Sequence, residues 1–226
     1  MRNSEEIDLR DGLTYDAKVK GFDSNFWHGD TANLLADTVR DAIKIGDTAL
    51  VGSASSYSQY LFGDFEFNML LDSVSPDSND GASLSEGKLI GLRNVGDSLN
   101  RGAMYFEMRY DTVTGGDTTN TRPFRAVIYD EAGNKQQKKI TWDTNWGGGG
   151  RMTKLRILWE QDMAQFLIND TVYATLGDRP DGQKASYQVN NIIPQALRIS
   201  NRTADTTDTS SMAIKVLTIR NARKVI

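Results

Sequence analysis

Between Lys154 and Leu176 the chain alternates apolar and polar residues with a period of two. Leu155, Ile157 and Trp159 share one parity, and so do Ala164, Phe166 and Ile168. Successive side chains of a strand point to opposite faces, so each triplet marks one buried face. The polar break Glu160-Gln161-Asp162 separates the two runs, and Asn169-Asp170 follows the second. Asn and Asp suit the backbone of tight turns. The segment therefore predicts consecutive antiparallel strands joined by hairpins.

The same alternation recurs along the chain. Phe65, Phe67, Met69 and Leu71 interleave with Asp64, Glu66, Asn68 and Asp72, and Met104, Phe106, Met108 and Tyr110 with Tyr105, Glu107 and Arg109. Further strands are predicted near Ala17–Phe22, Leu89–Arg93, Phe124–Asp130, Lys139–Trp142, Leu197–Ser200 and Met212–Arg220. Residues 31–45 allow two readings. Leu34, Leu35, Val39, Ala42 and Ile43 fall at helical spacing, with Asp30 or Thr31 as a cap and Gly46 as a stop. The other reading is a hairpin of Asp41–Ile45 and Thr48–Ser53 turning at Gly46-Asp47, which the β-rich surroundings favour.

About a dozen short strands with turn residues between them mean one sandwich or barrel. A chain of 226 residues is long enough for that, and buries roughly 70–75% of its extended surface without disulfides. Residues 1–14, with Glu5, Glu6, Asp8 and Asp11, read as a polar N-terminal arm, and residues 15–226 as a single domain.

Composition removes whole classes of chemistry. With no cysteine there is no thiol catalysis, no disulfide framework and no cysteine-based zinc site, and the single His28 excludes a multi-histidine metal centre. The formal charge is −4 and no basic stripe is present, so no nucleic-acid partner is expected. Lys135-Gln-Gln-Lys138-Lys139 reads as a solvated hairpin end. No apolar run reaches the roughly 18–20 residues of a membrane span, so no membrane insertion is expected. No apolar stretch follows Met1, and a chain of this start is expected not to use ordinary secretory export.

Five segments stand in a telling order: Phe62-Gly-Asp-Phe-Glu-Phe67, Gly87–Arg93, Gly102–Tyr110, the Trp159 hairpin, and Ile193-Pro194 with Leu197–Asn201 leading to Ile214–Ile219. From about Tyr60 to Val225 this order resembles the concanavalin-A-like superfamily, which holds the legume lectins, laminin-G-like domains and family 16 glucanases. The resemblance implies an all-β fold, an antiparallel jelly-roll β-sandwich. Retaining glucanases need two carboxyl groups about 5–5.5 Å apart. The resemblance places such a cluster on Gly102–Tyr110, where Glu107 stands with Ala103 and Tyr105 at the same-face positions. Glu66 lies on another strand. Both glutamates are expected on solvated sheet faces, which implies a non-catalytic member and no enzyme. Calcium is a frequent companion of the fold, and the Asp-rich loops Asp72–Asp80, Asp111–Asp117 and Asp205–Asp208 keep it open, but they lack a diagnostic spacing. No cofactor is otherwise expected.

The candidate ligand contact is the loop Ile140–Gly150, with Trp142, Asn145 and Trp146 before four glycines. Indole rings can stack on the apolar faces of sugars. The competing reading makes Trp142 a strand end and Trp146 a plug at the sandwich rim. His28 reads as a loop residue, Trp159 as core, and the sequons Asn169-Asp-Thr171 and Asn201-Arg-Thr203 as turns.

Together these features lead to one expectation and two alternatives. The expectation is a non-catalytic structural or attachment protein of an extracellular assembly, foremost a bacteriophage or virus particle. It would dock copies of itself or other virion subunits and could bind glycan. Its place would be the virion, otherwise the cytoplasm or the exterior. The alternatives are a stand-alone carbohydrate-binding module or lectin, and a glucanase-type glycoside hydrolase.

Overall fold

The computed structural model describes residues 13–20, 27–29, 34–39, 41–45, 49–53, 57–71, 87–94, 101–109, 124–130, 132–141, 143, 146, 152–160, 163–177, 191–199 and 212–224. The elements in chain order are β1 (Leu13–Asp16), α1 (Ala17–Lys20), β2 (Trp27–Gly29), β3 (Leu34–Asp37), β4 (Ala42–Ile45), β5 (Ala49–Ser53), β6 (Tyr57–Leu71) and β7 (Gly87–Asn94). They continue with β8 (Ala103–Arg109), β9 (Phe124–Tyr129), β10 (Lys135–Ile140), β11 (Thr153–Glu160), β12 (Met163–Ile168), β13 (Thr171–Leu176), β14 (Asn191–Ile199) and β15 (Met212–Lys224).

Hydrogen bonding runs through all fifteen strands, which fold into two antiparallel layers. The first layer has the order β10-β9-β8-β7-β14-β5-β2. The second has the order β13-β12-β11-β6-β15, with β1 and the β4-β3 pair along the free edge of β15. The fifteen-residue β6 joins the layers. Its Tyr57 and Ser58 pair with β14, whereas Gly63–Met69 pair with β11. Its partner β15 shifts register between Ile214/Val216 and Arg220/Ala222. Such bulges bend a strand and raise its twist, which lets the pair turn the corner.

The core lies between the layers and follows the period-two parity. Ile90, Leu92, Met104, Phe106, Phe124, Ala126 and Ile128 come from the first layer. Leu155, Ile157, Trp159, Ala164, Phe166 and Ile168 come from the second, and all belong to one buried cluster. Phe106 and Phe166 meet edge to face across it at 5.2 Å. Burying each such side chain is worth about 1.5–3 kcal/mol. The Phe65 and Phe67 backbones pair with Ile157 and Leu155, as their parity requires.

The turns follow local chemistry. Asn169 (φ 47°) and Asp170 (φ 66°) form the two-residue loop of the β12–β13 hairpin, a left-handed pair that Asn and Asp tolerate. The Asn169 N–H donates to the Lys154 carbonyl, and its Oδ1 accepts from the Lys154 N–H. In the β9–β10 turn the Asp130 carboxylate accepts from the Asn134 backbone and side-chain amides, both at 2.7 Å.

Several local expectations are corrected or refined. Ala17–Lys20 is one helical turn and not a strand, started by the Asp16 carboxylate accepting the Lys18 N–H at 2.9 Å. Residues 34–45 are a hairpin, but its turn is Thr38–Asp41, with Val39 87% exposed and Asp41 at φ 53°. The expected pairing of β4 with β5 is corrected: β4 pairs with β3 and β15, and β5 pairs with β14 and β2, in the opposite layer, while Gly46-Asp47 lies outside the described residues. The lysine-rich segment does flank the exposed β9–β10 turn, as expected, but it is itself the strand β10. Leu13 and Thr14, placed in the arm by sequence, begin β1 and pair with Ile219 and Thr218.

Candidate functional site

Strands β7 to β10 have a second face, turned away from the sandwich interior. Where Met104 and Phe106 enter the core, the alternate residues of β8 are Ala103, Tyr105 and Glu107. The register sets them opposite Tyr129, Val127 and Arg125 of β9, and opposite Arg93, Gly91 and Leu89 of β7. Leu89, Ala103, Tyr105, Val127 and Tyr129 form a separate buried cluster. Gly91 shapes this face. A Cβ there would lie 1.9 Å from the Met104 carbonyl oxygen, far inside van der Waals contact, so β7 and β8 approach as only glycine permits.

Two charged residues are buried in this apolar setting, Glu107 at 2% exposure and Arg125 at 7%. They stand directly opposite one another in the β8–β9 register. Lys135 of β10 reaches over from the sheet edge. Its Nζ lies 3.5 Å from Glu107 Oε2 and 5.6 Å from the centroid of the Tyr129 ring. Buried charge is stable only with partners of opposite sign, and Glu107 supplies the negative member for this cationic group. The expectation of a solvated Glu107 is therefore corrected.

Glu66 is elsewhere. Its neighbours in register are Arg156 and Thr218 on the outer face of the second layer, and Arg156 Nε lies 3.9 Å from its Oε2. Lys154 and Arg156 also pair with Asp170 there. Glu66 and Glu107 thus sit on opposite outer faces of the sandwich and cannot act as one carboxylate pair. Within β7 to β10 Glu107 is the one acidic residue. Sequence reasoning missed Arg125 and Lys135. Their signal was parity, since Arg125 alternates with the core residues Phe124 and Ala126 just as Glu107 does with Phe106.

The proposed aromatic platform fares differently. Trp146 is 6% exposed and belongs to the core cluster. Its ring meets Tyr173 edge to face at 4.9 Å and Phe124 at 6.5 Å, while the Trp146 backbone N–H donates to the Asp143 carbonyl. A sugar platform needs an open ring face, and this one is packed between the layers. Trp146 is a rim plug. Replacing it with Phe is expected to lower stability by about 1–2 kcal/mol, the cost of a partly filled aromatic site. Urea unfolding would show it, and an unchanged midpoint would mean the indole is not packed.

Trp142, Asn145 and the three Asp-rich loops lie outside the described residues. His28 stands in β2 opposite Gly52 and not in a loop. Among the described residues no group of three or more His, Asp or Glu side chains could hold a metal ion.

No family model matches the chain, and no curated protein matches it in sequence. Solved structures do match in fold. A non-specific endo-β-1,3(4)-glucanase from family GH16 aligns with TM-score 0.60 and 11% identity, over 94% of this chain and 90% of that one. The laminarinase from Rhodothermus marinus gives 0.60 and 10%, over 95% and 97%. A Crh5 transglycosylase in complex with NAG gives 0.54 and 14%, over 93% and 83%. The chain has the concanavalin-A-like jelly-roll fold of these proteins. The neighbours are glycoside hydrolases and transglycosylases, and nothing among them points to a virus particle. They correct both the expectation of a non-catalytic virion component and the expectation that the chain is no enzyme.

Proposed function

We propose that the protein is a polysaccharide-processing enzyme of the glucanase type, cleaving or transferring glycan chains on the outer face of β7 to β10. The observation that carries this reading is Glu107, a carboxyl group buried on the face away from the core and held by Lys135. Such a group adds nothing to the apolar core and is costly to desolvate even when paired, and costly buried carboxylates of this kind cluster at functional sites. The full-length likeness to glycan-processing enzymes supports the same reading.

A retaining mechanism uses one carboxylate as nucleophile and another as acid/base. Glu107 can fill one of these roles. The strands β7 to β10 themselves hold no second carboxyl group.

The test is product analysis. Purified protein would be incubated with a panel of neutral and anionic polysaccharides, with and without short acceptor oligosaccharides. New reducing ends indicate hydrolysis, and lengthened acceptors indicate transfer. Binding without either product would favour a lectin-like module, a reading that the single carboxylate of β7 to β10 supports. Neither product nor binding with any glycan would sink the proposal.

A further inference from the structure

The strands of the first layer carry eight Lys and Arg residues, two from β7, three from β10 and one each from β8, β9 and β14. Against them stands one acidic residue, Glu107, since β2 and β5 contain none. The whole chain has the opposite balance, 26 basic to 30 acidic residues. Among the described strands the positive excess is therefore concentrated in this layer. Three of them, Arg125, Lys135 and Lys139, hold outer-face register positions in the alternation of Ala103, Tyr105 and Glu107.

From this placement we infer that the glycan taken by this face is anionic, a polysaccharide bearing carboxylate or sulfate groups. The inference rests on the function proposed above and specifies its substrate class. Glu107 is the one acidic residue of these strands. Arg125, 93% buried by its 7% exposure, sits where low local dielectric strengthens attraction to an anion. Hydrogen bonds from guanidinium or ammonium to an ionised oxygen are about twice as strong as neutral ones. Lys135 and Lys139 share one face of β10, the edge strand of the layer, four residues and thus roughly 13 Å apart. An extended polyanion could run along them toward Glu107. A neutral glucan gains nothing from these charges. On a chain of net charge −4, this positive face would steer a polyanion to one place.

The experiment is affinity electrophoresis of the full chain in gels containing laminarin (neutral), polygalacturonate (carboxylate), carrageenan (sulfate) or duplex DNA, at low and high salt. At least one anionic polysaccharide is expected to bind about tenfold or more tightly than laminarin at low salt, and to lose most of that advantage at high salt. The two anionic gels decide between carboxylate and sulfate. Lys139→Ala is expected to weaken that binding about threefold or more, and Lys138→Ala, opposite Ala126 and of the other parity, to change it little. Processing of laminarin with no preference for a polyanion would overturn the inference and leave the enzymatic reading standing. Equal losses in the two lysine variants would overturn the assignment to the outer face. DNA binding as tight as that of the polysaccharides would mean general cation attraction and would overturn it too. Failure to bind or process any polysaccharide would remove both readings.

Discussion

Glu107→Gln is expected to lower turnover of the processed polysaccharide by roughly 10²–10⁴-fold, the contribution of one positioned acid/base group. Glutamine keeps the size of the side chain and an oxygen that Lys135 can reach, but it cannot transfer the proton or attack the sugar. The variant also removes the carboxylate that pairs with Lys135, so some stability is lost as well. Urea unfolding and far-ultraviolet circular dichroism must accompany the assay. The proposal requires lost turnover in protein that is still folded. Full turnover in the variant would reduce Glu107 to a counter-ion.

Trp159→Ala is expected to cost about 3–5 kcal/mol, the usual range for emptying a large aromatic site. Trp159 is 4% exposed and lies opposite Gly63 of β6 and Ala164 of β12. With two small residues beside it, no neighbouring side chain in the same row can swing in to fill the space. Trp159→Phe should cost much less, about 1–2 kcal/mol. The indole Nε1 is buried with no hydrogen-bond partner among the described residues, and phenylalanine removes that unsatisfied donor. Chemical denaturation of both variants measures the difference. A loss below about 1 kcal/mol for alanine would mean the ring is not packed as described.

The strands and their buried faces were legible in the sequence because parity is a strong constraint: a slip of one residue exposes every core side chain of a strand. Met104, Phe106, Leu155, Ile157 and Trp159 therefore fell where alternation put them. Pairing was less legible. Alternation says that Ala42–Ile45 and Ala49–Ser53 are strands, but it carries nothing about which layer each joins, and proximity in sequence suggested a false hairpin. The edge strand β10 hid behind its lysines, since charge on an edge is how sheets avoid pairing with other chains, and the same charge reads as a loop. The candidate site was half visible. Glu107 was named, but its burial depends on Arg125 and Lys135, which reach it through register and not through spacing along the chain. Trp146 misled because an aromatic residue before glycines reads as a displayed ring, whereas Tyr173 and Phe124 enclose it.

The pairing of β1 with β15 sets the order in which this protein can be completed. Leu13–Asp16 lie against Val216–Ile219, so a strand made first waits about 200 residues for its partner, a long loop to close. The same late strand also covers β6 along almost its entire length. Until it leaves the ribosome, β6 has an open edge and the second layer lacks its middle. Contacts this distant slow folding, and nascent chains hold that edge unpaired until β15 is made.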